Sequence, residues 1–104
     1  MSHYEVWLEP EVHAAHKDWP GNVRQRLQRI FDEFASNPRP AESQLMDTAG
    51  LEVPPAVELR RPRLEHWRVI YAVSDAEAWV WVLTVRRRPP YDYEDLGELT
   101  SRLK

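Results

Sequence analysis

Hydrophobic and polar residues alternate at the start of the chain. In "HYEVWLEP", Tyr4, Val6 and Leu8 fall on one side and Glu5 and Trp7 on the other. That is the period of a half-buried β-strand, ended near Pro10, which cannot donate to a ladder. "PEVHAAHKDW" reads as a short helix with Pro10 in its first turn, broken at Trp19-Pro20-Gly21. The period then lengthens. Val23, Leu27, Ile30, Phe31 and Phe34 in "NVRQRLQRIFDEFAS" form one apolar stripe at helical spacing, with Arg24, Gln25, Gln28, Asp32 and Glu33 opposite. Asn22 is the expected cap.

"NPRPAESQLMDTAGLEVPPA" carries four prolines and no period. It reads as a long surface loop with one helical turn around "AESQLM", and loops of this length are often functional. Three strands follow: "VELRR", "HWRVIYAV" and "AWVWVLTV", the last two joined by a tight turn at "SDAE". The β-branched and aromatic density of "VWVLTV" places it at the sheet centre. "YEDLGELTSRLK" closes as a short amphipathic helix through Leu96, Leu99 and Leu103, with Asp92 as its cap, and Gly97 weakens it. The expected fold is α+β in the order β-α-α-β-β-β-α, a small twisted, mostly antiparallel sheet with the N-terminal helices packed on one face. The whole chain, 1–104, reads as one domain.

Composition narrows the chemistry. The chain has no cysteine, which removes disulfides, thiolate catalysis and Cys-based zinc sites and fits a reducing cytoplasm. No segment has the apolar length of a membrane span, and the N-terminus lacks the pattern of a signal peptide. The net charge of -3 argues against a protein that coats nucleic acid by bulk charge. The distribution is uneven, however. Between Val57 and Tyr91 stand Arg60, Arg61, Arg63, Arg68, Arg86, Arg87 and Arg88 against Glu58, Glu65, Asp75 and Glu77, and lysine occurs only as Lys17 and Lys104. Arginine suits planar, bidentate capture of phosphate or carboxylate.

Alternation gives these arginines a direction. In "HWRVIYAV", Trp67, Val69 and Tyr71 share one face, and Arg68, Ile70 and Ala72 the other. In the next strand Trp79, Trp81, Leu83 and Val85 are expected together, opposite Val80, Val82, Thr84 and Arg86. Three adjacent strands would then offer Arg60, Arg68 and one of Arg86–Arg88 to a common surface opposite the helices. Cations preplaced around one anionic centre stabilise transition-state charge on a phosphoryl group. "VRRRPPYDYEDL" continues that rim: prolines fix the turn beside the arginines, and the acids start the closing helix.

Taken together, the "VRQRLQRIFDEFASNP" helix ending in Asn-Pro, "VELRR", "WRVIYAVSD" before the apolar "AWVWVLTV", and the terminal arginine-plus-tyrosine segment resemble the RelE/ParE toxins of bacterial type II toxin–antitoxin modules. The resemblance covers nearly the whole chain. It implies a ribosome-dependent, metal-independent endoribonuclease of RelE type, without a cofactor, that cleaves mRNA and inhibits translation. Arg68 then corresponds to the arginine that binds the transition-state phosphate, and Arg88 to the one that stabilises charge or protonates the leaving oxygen. Tyr93, or else Tyr91, falls near the tyrosine that stacks on a base, with the register differing by about a residue. Arg60, Arg61, Arg86 and Arg87 would line the RNA path. The pair of lysines that RelE carries on the "VELRR" strand is missing. Glu58 there could take the 2′-hydroxyl proton, or pair with Arg60 or Arg68 and be only structural. The ParE branch inhibits DNA gyrase and needs no catalytic set, and a degenerate, non-toxic member would only bind its partner. In each case the implied partner is a cognate antitoxin with an acidic, amphipathic segment that folds on binding and covers Arg60, Arg68 and Arg86–Arg88.

Two histidine features stand apart. His13 and His16 sit at i, i+3 without an evident third ligand, which reads as a solvated pair rather than a metal site. His66 reads as a turn residue or as an acid/base group near Arg68. The five tryptophans are expected mostly in the core.

Overall fold

The structure is a computed structural model that describes residues 3–64, 66–87, 100 and 103. β1 (Glu5–Leu8) packs Val6 and Leu8, with Tyr4 before them, against the helices, so Glu5 and Trp7 face away. α1 (Pro10–Ala15) begins on Pro10, where a missing N–H costs nothing, and runs into a 3₁₀ turn at His16–Asp18. α2 (Gly21–Phe34) starts directly after Pro20 with no side-chain cap. Asn22 therefore lies inside the first turn and not at the cap. The apolar stripe holds this helix down: Leu27, Ile30, Phe31 and Phe34 are buried, each contributing about 1.5–3 kcal/mol relative to exposure. The Asn37-Pro38 step ends it, because the residue before a proline is driven out of helical geometry. The Arg39 N–H bonds Asn37 Oδ1 at 3.1 Å and turns the chain back toward the sheet.

The sheet has five strands in the order β1-β5-β4-β3-β2. β2 is Ser43–Leu45, β3 Val57–Pro62, β4 Trp67–Ser74 and β5 Trp79–Arg87. β1 is parallel to β5 and the other pairs are antiparallel. Two expectations change. The "AESQLM" stretch is a strand and not a helical turn, because Ser43–Leu45 covers the otherwise open edge of β3 and satisfies its backbone groups. The central strand is β4, with β5 beside it. The closing helix, except for Thr100 and Leu103, and Arg88, Tyr91, Asp92 and Tyr93 lie outside the described residues.

One sheet face carries the main core, where Val69, Tyr71, Val73, Val80, Val82 and Val85 meet the helices. The other carries Leu59, Ile70, Ala72 and Leu83, covered by Met46, Leu51, Val53 and Leu103. Trp79 and Trp81 belong to this second face and stay half-buried, whereas Trp19 is in the core under the helices. An irregularity separates the two halves of the β4–β5 ladder. Tyr71 pairs with Val82 and Ile70 with Thr84, so Leu83 has no register partner. This bulge shifts the alternation of β5 by one residue. Val85 turns to the helices and Arg86 away from them, the reverse of simple alternation. Among the described residues no helix is long and apolar enough to cross a membrane.

Candidate functional site

Arg68 in the middle strand and Arg86 near the end of β5 are direct cross-strand partners. Both follow or precede residues of the helix-side core, so both belong to the face away from the helices. Arg68 is 4% exposed, while Arg86 is on the surface. Like charges directly opposite one another repel, and an anion placed between them would be held by both. Arg87 pairs with Trp67 in the ladder, one step further along. Arg61 follows Leu59 on the same face by alternation and sits beside Gln44 of β2. Thr100 is buried and Leu103 packs on Leu59, Ile70, Ala72 and Leu83, so the end of the chain reaches this face.

Arg60 and Glu58 are elsewhere. Their ladder partners are Tyr71 and Val73, both of the helix-side core, so the sheet separates them from Arg68 and Arg86. The expected common surface of Arg60 with Arg68 does not form, because alternation from Leu59 sends Arg61 and not Arg60 to the far face. Glu58 is held by two guanidiniums. Arg39 meets it side-on at 3.2 and 3.1 Å, and Arg60 Nη1 reaches it at 3.2 Å. Hydrogen bonds from Arg39 come first among the causes that hold its carboxyl below the usual range. A carboxylate so paired is a poor proton acceptor, and the geometry favours its structural role.

Arg39 is the residue that pattern reading missed. It also grips Asp75 at 3.2 and 3.0 Å, and Asp75 accepts the Tyr4 hydroxyl at 2.8 Å. The signal was present in "NPRP", an arginine fixed between two prolines, but nothing in the sequence pointed to its acceptors. Arg60 Nε donates to Ser43 Oγ at 2.8 Å, and Ser43 Oγ lies 2.6 Å from the buried Tyr71 hydroxyl.

His13 lies on α1 and His16 on the 3₁₀ turn after it. His16 packs edge-on to Trp19 at 5.3 Å, and among the described residues no group of three or more His, Cys, Asp or Glu could hold a metal. His66 lines a cavity of about 160 Å³ with Asn22, Arg26, Leu64 and Trp67, at the start of α2.

No family model matches the chain, and no curated protein matches it in sequence. Solved structures do. RelE in the archaeal RelE–RelB complex of Pyrococcus horikoshii superimposes with a TM-score of 0.70 at 24% identity, over 84% of this chain and 97% of that one. The isolated RelE toxin of E. coli gives 0.58 at 20% identity, over 97% and 99%. A RelBE toxin–antitoxin complex of Mycobacterium tuberculosis gives 0.60 at 13% identity, over 83% and 99%. The chain has the fold of the RelE toxins. In this RelE fold the arginine pair sits on the sheet face away from α1 and α2, and the Arg39 clamp on the other side ties the α2–β2 connection to the strands.

Proposed function

We propose that this chain is the toxin of a type II toxin–antitoxin pair and cleaves mRNA on the ribosome. The observation that carries the reading is the cross-strand Arg68–Arg86 pair on the face of a RelE-fold sheet away from α1 and α2. In RNA cleavage the 2′-hydroxyl gives up its proton and attacks the adjacent phosphorus. A 2′,3′-cyclic phosphate forms, the bond to the 5′-oxygen breaks, and that oxygen is protonated. Negative charge grows on the phosphoryl oxygens, and two fixed guanidiniums stabilise it without reorganisation. Arg68 and Arg86 take this role. Arg61, Arg87 and Arg88 extend the cationic path, and Tyr91 or Tyr93 supplies the stacking ring. Glu58 is left to the ion pairs. The similar P. horikoshii and M. tuberculosis structures are complexes with an antitoxin, which supports an antitoxin as the partner here.

Expression without a partner should arrest growth and leave cut mRNAs, with cleavage lost in Arg68→Ala. Intact mRNA beside blocked DNA supercoiling would establish the gyrase-inhibitor reading instead. One observation favours that second reading: Arg68 is 4% exposed, and a buried guanidinium must be uncovered before it can hold a phosphate.

A further inference from the structure

Several arginines on the helix side of the sheet are occupied. Arg24 donates to the carbonyl of Trp19 at 3.1 Å, and Arg39 and Arg60 hold Glu58. Arg26 is different. It is exposed on α2 and, among the described residues, makes no hydrogen bond or ion pair; the same is true of the Asn22 side chain one turn earlier. Both stand at the rim of the cavity of about 160 Å³ at the start of α2, with His66 beside them.

Below that rim the cavity is apolar. Val23, Leu27 and Leu64 line it, and the last two are buried. Trp67 forms a wall, and its ring is already held in place. Trp19, 4% exposed, packs edge-on against it at 6.4 Å, and His16 packs edge-on against Trp19 at 5.3 Å. A ring fixed by its neighbours offers a stacking face without further cost in order. No carboxylate is among the described residues that line the cavity.

Size and chemistry together define the occupant. An apolar cavity of about 150 Å³ takes up a single benzene ring, so one planar ring fits here. Its face must be apolar enough for Trp67, its edge polar enough for Asn22, and a negative charge must lie close by for Arg26. A nucleotide meets all three conditions: bases stack on indole, and phosphate matches the planar fork of a guanidinium.

We propose that this cavity binds one nucleotide, with its base against Trp67 over Leu27 and Leu64, its base edge on Asn22 and its phosphate on Arg26. The nucleotide is a free 5′-monophosphate or one unit of an RNA chain passing over the start of β4. The site is separate from the arginine pair. Trp67 belongs to the helix side and Arg68, the next residue, to the opposite face, so the sheet lies between them. It therefore stands whether or not Arg68 and Arg86 cleave RNA.

The probes are uridine 5′-monophosphate, uridine, ribose 5-phosphate and a 2′-O-methyl uridine hexamer, which has no free 2′-hydroxyl to attack with. Each is titrated calorimetrically into the full chain, with leucine methyl and indole signals followed by NMR. The monophosphate should move the signals of Leu27, Leu64 and Trp67 and bind about tenfold or more tightly than uridine or ribose 5-phosphate. Arg26→Glu should erase the advantage of the monophosphate over uridine. Trp67→Leu should weaken both alike; should it not fold, the exposed Arg26→Glu decides. A hexamer that moves the same three signals assigns the site to RNA, and one that leaves them in place assigns it to the free nucleotide. Absent binding, a monophosphate no tighter than ribose 5-phosphate, unmoved signals at Leu27, Leu64 and Trp67, or indifference to Arg26→Glu overturns the proposal. Cleavage of mRNA is scored separately. Cleavage without nucleotide binding removes this site alone, and nucleotide binding without cleavage removes the nuclease reading alone.

Discussion

The Tyr71 hydroxyl, buried in the middle strand, donates to the carbonyl of Pro38 at 2.8 Å. With that proton committed, Ser43 Oγ is the donor in its 2.6 Å contact with Tyr71, and it accepts from Arg60 Nε at 2.8 Å. A directional relay runs Arg60–Ser43–Tyr71–Pro38, each bond polarising the next. It fastens the segment after α2 to the sheet. Tyr71→Phe keeps the ring but strands the Pro38 carbonyl and the Ser43 hydroxyl. We expect a loss of about 1–3 kcal/mol in denaturant unfolding, with an unchanged m-value.

The Arg39 clamp makes stability depend on acid. Hydrogen bonds from Arg39 are the first cause of the lowered pKa values of Glu58 and Asp75. A carboxyl whose folded pKa is below its unfolded one stabilises the fold above the unfolded value. That contribution is lost as pH falls from about 4 through the folded value. Both side chains are more than a third exposed, so solvent screening keeps the effect small. Arg39→Met should flatten the acid limb of a midpoint-against-pH curve and leave its neutral slope unchanged.

Ala78 closes the β4–β5 turn at φ 56°, the left-handed region where a Cβ is crowded. Ala78→Gly relieves this but gives the unfolded chain more freedom. The net expectation is a gain of about 0.5–1 kcal/mol, read as a raised denaturant midpoint. A loss would show that the turn tolerates the Cβ.

Arg68 and Arg86 should separate in their effects. Arg68 is buried and Arg86 exposed. Arg68→Ala should lower single-turnover RNA cleavage about 10²–10³-fold and also destabilise the fold. Arg86→Ala should lower cleavage while shifting stability by no more than about 0.5 kcal/mol. A fully active Arg86→Ala would remove it from the site.

Local periodicity made much of this fold readable. The α2 stripe, the β1 alternation and the "SDAE" turn are set by residues close in sequence, and the structure agrees with them. What misled was long-range. Ser43–Leu45 has no strong strand pattern and becomes a strand only because β3 offers an edge. The arginines after "VWVLTV" were legible as a cluster, and Arg68 was assigned the correct face. Arg60 was not, because the phase of β3 depends on Leu59 turning away from the helices. The partners of Arg39 come from β3 and from the β4–β5 turn, which no local pattern joins.

The unmatched Leu83 has a consequence for comparing this chain with others. Everything in β5 after it is displaced by one position relative to everything before it. Losing the extra residue would restore strict alternation and keep Arg86 opposite Arg68, whereas a chain of the same length without the bulge would bring Val85 opposite Arg68 and turn position 86 to the helix side. Two chains with the same arginine triplet can thus present different members of it to the same place. Which arginine is chemically relevant must be counted from the β4 partner across the ladder, not from its rank in the run.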